Sequence, residues 1–322
     1  MGKSHYRSVL YFDAVRRYGS VREAARHLGL AASAVNRQIL NLEDELEMPL
    51  FDRLPGGMRL TAAGEAMARH AILVLQDERR VFAEFDALRG VRHGEISVVA
   101  AESLNEHFLP EILGQMAQRY PGVKSRVETA GSNDILDVLR RGDADLGLGF
   151  SLPRQAEWQQ LAVGAFRLGA VMRPDHALAS EAVDGMISFG QCVRHKMILP
   201  TPSLSIHSLL EGPLRRIEGR VNVVAQVSSL SLMRTLTLTM NAISFQARIG
   251  LERELASGAL VFLPLARPGP VITELGFYFR AGRIVPVALA AFLALAREHL
   301  AACEALDITS PRENISPDRP VG

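Results

Sequence analysis

Ser33, Asn36, Arg37 and Asn41 share one side of a helical stretch whose other side carries Val35, Ile39 and Leu42. The apolar trio repeats at i, i+4, i+7, the spacing of one buried helical stripe. The polar side can do a specific chemistry. Arg37 can neutralise a phosphate, and the Asn36 amide pairs a donor with an acceptor as an adenine edge requires. Just upstream, Ala24, Ala25 and Leu28 form the face of a shorter helix, and Gly29 supplies a turn. The small Ala24–Ala25 pair lets a second helix cross closely. Two such helices make a helix-turn-helix, which sets the second helix in the DNA major groove. An ordinary helical hairpin with a solvated polar face has the same pattern, so the residues downstream of Leu42 matter. Ser20, three residues ahead of Glu23, predicts a capping box on the first helix.

Beyond Leu46, Leu50 and Phe51, residues 53–61 read RLPGGMRLT. Apolar residues either side of Pro-Gly-Gly predict a β-hairpin with Arg53 and Arg59 flanking its turn. A helix-turn-helix followed by a basic hairpin is a winged helix, and such a wing can reach a minor groove or phosphates. The candidate DNA-contacting residues are Ser20, Ala32, Ser33, Asn36, Arg37, Arg53, Arg59 and Thr61.

This region resembles the LysR-type transcriptional regulators. The matching residues are Gly19-Ser20, Ala24-Ala25, Leu28, SAVNRQI at 33–39, Leu42-Glu43, PLF at 49–51, Arg53 and RLTAAGE at 59–65. The chain departs from the family at Ala31-Ala32, where Ser-Gln is common, at Asn36 and Leu40, and at Glu47, where Gly is common. The resemblance implies a dimerising linker helix, a two-lobed effector domain similar to periplasmic binding proteins, a homotetramer, and RNA polymerase as a partner.

The chain has 322 residues, of which 48% are hydrophobic, enough for several domains. Its formal net charge is +1. A DNA binder needs only a local basic face, and residues 1–60 hold nine Lys/Arg against seven Asp/Glu. Two cysteines, Cys192 and Cys303, form neither a disulfide framework nor a metal set. MGKSHYRS has no signal-peptide character, and the longest apolar run, 285–296, is too short to span a bilayer. A cytoplasmic protein without membrane association is expected.

The organisation follows from these signals. Residues 1–61 read as the winged helix-turn-helix. Residues 62–90 read as a linker helix whose Ala71, Val74, Val81, Phe85 and Leu88 make a short heptad-like seam, facing either a dimer partner or its own domain. Residues 91–306 read as an α/β effector domain, with lobe I at 91–164 and 268–306 and lobe II at 165–267. Strands at 96–101, 123–129 and 145–149 alternate with helices at 109–120 and 134–141, which predicts a parallel sheet. Further strands are expected near 168–172, 197–199, 221–227, 243–245 and 274–279, with helices at 205–217, 230–238 and 285–303. The Pro-rich segment 307–322 reads as a disordered tail. The fold class is therefore α+β and multidomain.

Ligands of such sheets bind beyond the carboxyl ends of strands, where helix N-termini point. Those ends hold Ala101, Ser103, Ser132, Asn133, Phe150, Thr201, Ser203, Ser228 and Ser229, the candidate effector-contacting residues. Their hydroxyls and free N–H groups suit a small organic anion. Each serine is also an ordinary N-cap, and Glu102 would repel an acid unless it faces away. Ser103 with His107, or Asp175 with His176, lacks the context of a catalytic triad, and no metal or phosphate-loop spacing occurs. No cofactor, metal or catalytic residue is expected. The reading is a DNA-binding regulator working on an inverted-repeat operator as a homo-oligomer and responding to a small effector. The alternatives are an architectural DNA-binding protein that senses nothing, and an enzyme or transport-type binding protein tethered to nucleic acid.

Overall fold

A computed structural model describes residues 3–88, 94–217, 221–267 and 269–309. The chain divides into two compact units, residues 1–91 with 140–142 and residues 92–139 with 143–322.

In the first unit, α1 (Lys3–Tyr18), α2 (Val21–Leu28) and α3 (Ala32–Leu46) precede a hairpin of β1 (Phe51–Leu54) and β2 (Gly57–Leu60), and then α4 (Ala62–Leu88). Phe12, Val15, Ala24, Ala25, Val35, Ile39, Leu42 and Leu50 are buried together, as their helical spacing predicts. Gly29 closes α2 in the left-handed region at φ 67°, and its N–H meets the carbonyls of Ala25 and Arg26. That turn lets α3 double back. The expected capping box is not formed: Ser20 occupies the N-cap of α2 but makes no capping bond, and Glu23 pairs with Arg26 instead. Phe12 and Phe51 place their ring centres 5.1 Å apart, tying the hairpin to α1.

The linker seam divides in two. Ala71 is fully buried in the core of its own unit and Val74 packs against it. Further along α4, Phe82 and Phe85 are 58% and 48% exposed, in edge-to-face contact with each other. The seam expectation included Phe85 but not Phe82. The side chain of Leu88 lies outside the described residues.

The second unit is built on β6 (Trp158–Met172). Its elements before β6 are β3 (Gly94–Ala100), a 3-10 turn (Glu102–Asn105), α5 (Phe108–Arg119), β4 (Val123–Thr129), α6 (Ser132–Arg141) and β5 (Leu146–Phe150). After β6 come β7 (Ile187–Ser188), α7 (Phe189–Cys192), β8 (Met197–Pro200), α8 (Ser205–Arg215), β9 (Val223–Val227), α9 (Leu230–Met240), β10 (Ser244–Ala247), α10 (Glu252–Ala256), β11 (Val261–Arg267), β12 (Ile272–Arg280) and α11 (Val287–Thr309). β3 pairs parallel with β4 and β5. β12 returns antiparallel between β5 and the first part of β6, while β10 and β11 pair antiparallel with the last part of β6. One core gathers around β3, β5, α5, α6 and α11, and a second around β8, β10, α8 and α9.

Several element limits differ from expectation. β6 begins ten residues before the expected 168, because polar Gln159 and Gln160 hide its start. Strand β11 was not singled out from the sequence. α11 continues to Thr309, so Asp307 does not lie in a tail. Its carboxylate is buried and accepts from the Arg167 backbone N–H at 2.9 Å and from the guanidinium at 3.3 Å. Residues 310–322 lie outside the described residues.

Two neighbouring positions test the backbone argument in opposite directions. α3 ends at Glu47, held at φ 52°, where a side chain is strained by about 1–2 kcal/mol. Glu47→Gly should raise the stability of this unit by about 1 kcal/mol in thermal denaturation, after the entropic penalty of glycine. Gly64 lies in the first turn of α4, and a Cβ there would sit 2.0 Å from the Leu50 carbonyl oxygen. Gly64→Ala should therefore destabilise by about 1–3 kcal/mol, although alanine normally favours a helix.

Candidate functional site

The polar face of α3 lies opposite Val35, Ile39 and Leu42, with Ser33 and Arg37 exposed and Asn36 half-buried. The exposed Arg53 of β1 donates from Nη2 to Asn36 Oδ1 at 3.2 Å. The hairpin and α3 thus present Asn36, Arg37, Arg53 and Ser33 on one continuous surface. The hairpin is held in place from two sides. The Met58 N–H donates to the Gly19 carbonyl at 2.8 Å, and Glu43 Oε1 accepts from the N–H groups of Leu50 and Phe51 at 2.6 and 3.1 Å. The sequence named Glu43 only as part of the family resemblance, with no structural role. Its spacing to the hairpin carries no local signal, because the bond spans the turn after α3.

The other residues expected on this face have separate roles. Arg59 is exposed and lies 3.5 Å from Asp52, its partner across the hairpin. Thr61 is turned inward: its hydroxyl donates to the Pro49 carbonyl at 2.7 Å and accepts from the Gly64 N–H at 3.0 Å, capping α4. Ala32 begins α3, half-buried, and Ser20 begins α2. Tyr18 and His27 stack nearly parallel at 3.9 Å beside this region, a contact the sequence did not suggest.

Six of the nine expected strand-end residues of the second unit line two neighbouring cavities, and Asn133, Thr201 and Ser229 are not among the lining residues. Ala101, Ser103, Ser132 and Phe150 line a small cavity from the first core, with Leu204, Ile206, Leu230 and Gln246 across from them. Its volume is about 30 Å³, room for roughly two waters. A neighbouring cavity of about 170 Å³ adds Asp134, Ser203 and Ser228. Ser132 Oγ accepts from the Phe150 N–H at 3.1 Å. The Asn133 amide donates to the Pro202 carbonyl at 3.0 Å, joining the two sides. The Thr201 and Ser203 hydroxyls bond to each other at 2.9 Å. Ser229 caps α9 through the Leu232 N–H.

Two buried side-chain atoms in the cavity wall have no hydrogen-bond partner: Ser103 Oγ and Gln246 Nε2. Such groups are rare in native structures and ask for an explanation. Gln246 was missed because it sits in a buried strand whose neighbours are apolar. Arg234 was missed too. It is the lone charged residue of α9, almost fully buried, and it meets Glu106 at 2.7 Å, Glu254 at 3.4 Å and the Gly250 carbonyl at 3.1 Å. A single arginine in an otherwise uncharged helix is the signal that could have found it. Asn241 closes α9 in the left-handed region at φ 48°.

The groups considered for catalysis are not assembled. Ser103 Oγ meets no base, and His107 instead faces His299 with ring centres 5.5 Å apart. His176 is buried rather than on a surface turn, and its Nδ1 accepts from the Leu178 N–H. Among the described residues, no group of three or more His, Cys, Asp or Glu could hold a metal ion. No helix among them is long and apolar enough to cross a membrane.

Residues 89–301 match the LysR substrate binding domain, and residues 6–65 match the bacterial regulatory helix-turn-helix proteins of the lysR family. The chain belongs to the LysR family of DNA-binding transcriptional regulators. It is 30% identical over 219 residues to a probable nitrogen assimilation transcriptional activator of Synechococcus elongatus, covering 67% of this chain and 70% of that protein. It is 26% identical to the HTH-type transcriptional regulator CbbR of Rhodospirillum rubrum, covering 90% and 95%. Among solved structures, a full-length OxyR variant from Pseudomonas aeruginosa has the same fold, with a TM-score of 0.70 at 17% identity and 98% of each chain covered. Full-length LysG of Corynebacterium glutamicum with bound effector Arg gives 0.64 at 18% identity, covering 92% and 98%. Full-length CbnR complexed with its target DNA gives 0.57 at 19%, covering 91% and 99%. These likenesses place a LysR helix-turn-helix ahead of a LysR α/β effector-binding domain in this family member. Its homologues are transcriptional regulators.

The thiols of this LysR-family chain are set for packing. Burial pushes Cys192 up to about 12, and burial followed by the charge of Glu252 pushes Cys303 up to about 11. Only the thiolate is nucleophilic. At neutral pH both should react with a disulfide reagent at least roughly 300-fold more slowly than a free cysteine of ordinary pKa. Denaturant should restore both rates together, and stopped-flow labelling checks this.

Proposed function

We propose that this regulator reads an inverted-repeat DNA operator with paired copies of α3, and that a small organic effector between the two cores of the second unit modulates the binding. One observation carries the DNA part: the Arg53–Asn36 hydrogen bond, which makes hairpin and helix a single exposed polar surface. The structure of CbnR with target DNA and that of LysG with bound effector support both halves by likeness. In this reading Ser33, Asn36 and Arg37 lie nearest the DNA, with Asn36 reading a base edge while Arg37 and Arg53 meet phosphate and Arg59 lies on the wing beside them. Residues 62–90 pair two subunits, and contacts between the α/β domains complete a tetramer. The effector, an organic anion, meets Ser103, Ser132, Asn133, Thr201 and Ser229. It changes operator affinity only by its differential affinity for two arrangements of the subunits. RNA polymerase is the downstream partner. The protein works in the cytoplasm, without a cofactor, and catalyses no reaction.

Duplexes selected from a random-sequence library would test the DNA assignment. Arg53→Ala should weaken binding to every selected duplex alike and reduce the salt slope by about one unit. Asn36→Ala should relax the preference at one base pair, losing about 1–3 kcal/mol of discrimination there. Uniform loss in both variants would remove Asn36 as the reader.

Assembly has its own test. Phe82 and Phe85 are the exposed aromatics of α4, so they rather than Val74 should fill the subunit interface. Phe82→Glu with Phe85→Glu should sediment as a smaller assembly than the parent, with pairing through α4 lost. Operator affinity should fall roughly 100-fold or more, since two linked heads bind far more tightly than one. An unchanged sedimentation profile would exclude this part of α4 from the interface.

A further inference from the structure

The N-terminus of α9 already holds a carboxylate, and it comes from the opposite core. Glu102 follows β3, whereas Leu230 packs in the second core. Glu102 Oε2 accepts from the Leu230 N–H at 2.8 Å. Its Oε1 accepts from the Ser231 N–H at 3.1 Å and the Ser229 hydroxyl at 2.8 Å. These are the donors that a helix N-terminus offers an anion. Ser103 and Gln246 line the same cavity, only 6% and 2% exposed, and their Oγ and Nε2 atoms are buried without partners. A built set of ligand-binding donors is thus half used, by the protein itself. The two cavities here are lined by Glu102 and Asp134, and no Lys or Arg is among their lining residues.

We propose that Glu102 is a built-in competitor at the α9 N-terminus, and that a carboxylate effector binds this regulator only by displacing it. The proposal rests on the effector reading above and adds its regulation. A tethered carboxylate acts at an effective concentration in the millimolar range or higher, so it sets a threshold that a free acid must exceed. It also bridges the two cores, so its release removes one of the side-chain bonds that join them and leaves Asn133–Pro202 and Glu106–Arg234 in place. The orphaned Ser103 and Gln246 groups would then bond to the remaining polar atoms of the incoming ligand. Bound and unbound states would differ in a defined contact, as a switch requires.

Acetate is the probe, with chloride at equal ionic strength as control, on the full chain. Glu102→Ala should lower the melting temperature by roughly 5 °C, from the loss of three charge-assisted hydrogen bonds. Acetate should restore part of that loss saturably, and chloride should not. Half-saturation in the variant should lie at least ten-fold below that of the parent protein. An equal acetate response in parent and variant, or none in the variant, overturns the proposal. If Glu102→Ala does not fold, the same comparison on Glu102→Gln decides it by the same criteria, because the neutral amide removes the competing charge. Loss of the acetate effect would leave the regulator reading intact, since that stands or falls on the selected duplexes.

Discussion

The second unit depends on a single strand. β6 runs through both cores, and its backbone must be satisfied twice, first against β12 and then against β10 and β11. Unpaired buried N–H and C=O groups are too unfavourable to leave open, so the chain has to send partners to each half of β6. The connections follow from this. β12 comes from far along the sequence to lie between β5 and β6, and α11 then packs on the first core. A rigid ladder between the two cores leaves their other contacts as side-chain bonds: Asn133 to Pro202, Glu102 to the start of α9, and Glu106 to Arg234. Those bonds can be exchanged without breaking a sheet.

The N-terminal unit solves a different problem. It is small, and a small domain buries a low fraction of its surface. It gains core from the first half of α4, which packs on α1 and adds Ala71 and Val74 to the cluster. That sharing also explains why the heptad-like seam does not face one partner along its whole length. Polar caps and close approaches complete the packing, with Glu43 on the hairpin, Thr61 on α4, and Gly64 against Leu50. The exposed polar face of α3 is therefore supported by interactions elsewhere in the unit.

The cleft places competing demands on the same atoms. Ser132 and Ser229 were attractive as ligand contacts because they stand where helices begin. In the fold Ser229 caps α9, as a serine at such a position ordinarily does, whereas Ser132 is taken up by the Phe150 N–H of β5. Ser103 is the exception, since its hydroxyl is buried and unpaired. Serine type and position were visible in the sequence, but the partner of each hydroxyl was not, because the partners lie 18 to 127 residues away.

Local pattern alone determined the winged helix, since its signals lie within a turn or two of each other. The stripe Val35–Ile39–Leu42, the turn at Gly29 and the hairpin after Phe51 are all local, and each formed as the spacing required. The βαβαβ start of the second unit was legible for the same reason. Tertiary structure decided the rest. The length of β6 depends on strands more than a hundred residues away, which can pair even its polar start. Asp307 is buried against Arg167, a partner 140 residues away that no local pattern could reveal. Whether Glu102 repels a ligand or replaces one turned on which helix end it would face, and that is set by closure of the two cores. Spacing along the chain encodes which face a residue takes, but the partner of a buried charge is chosen by packing.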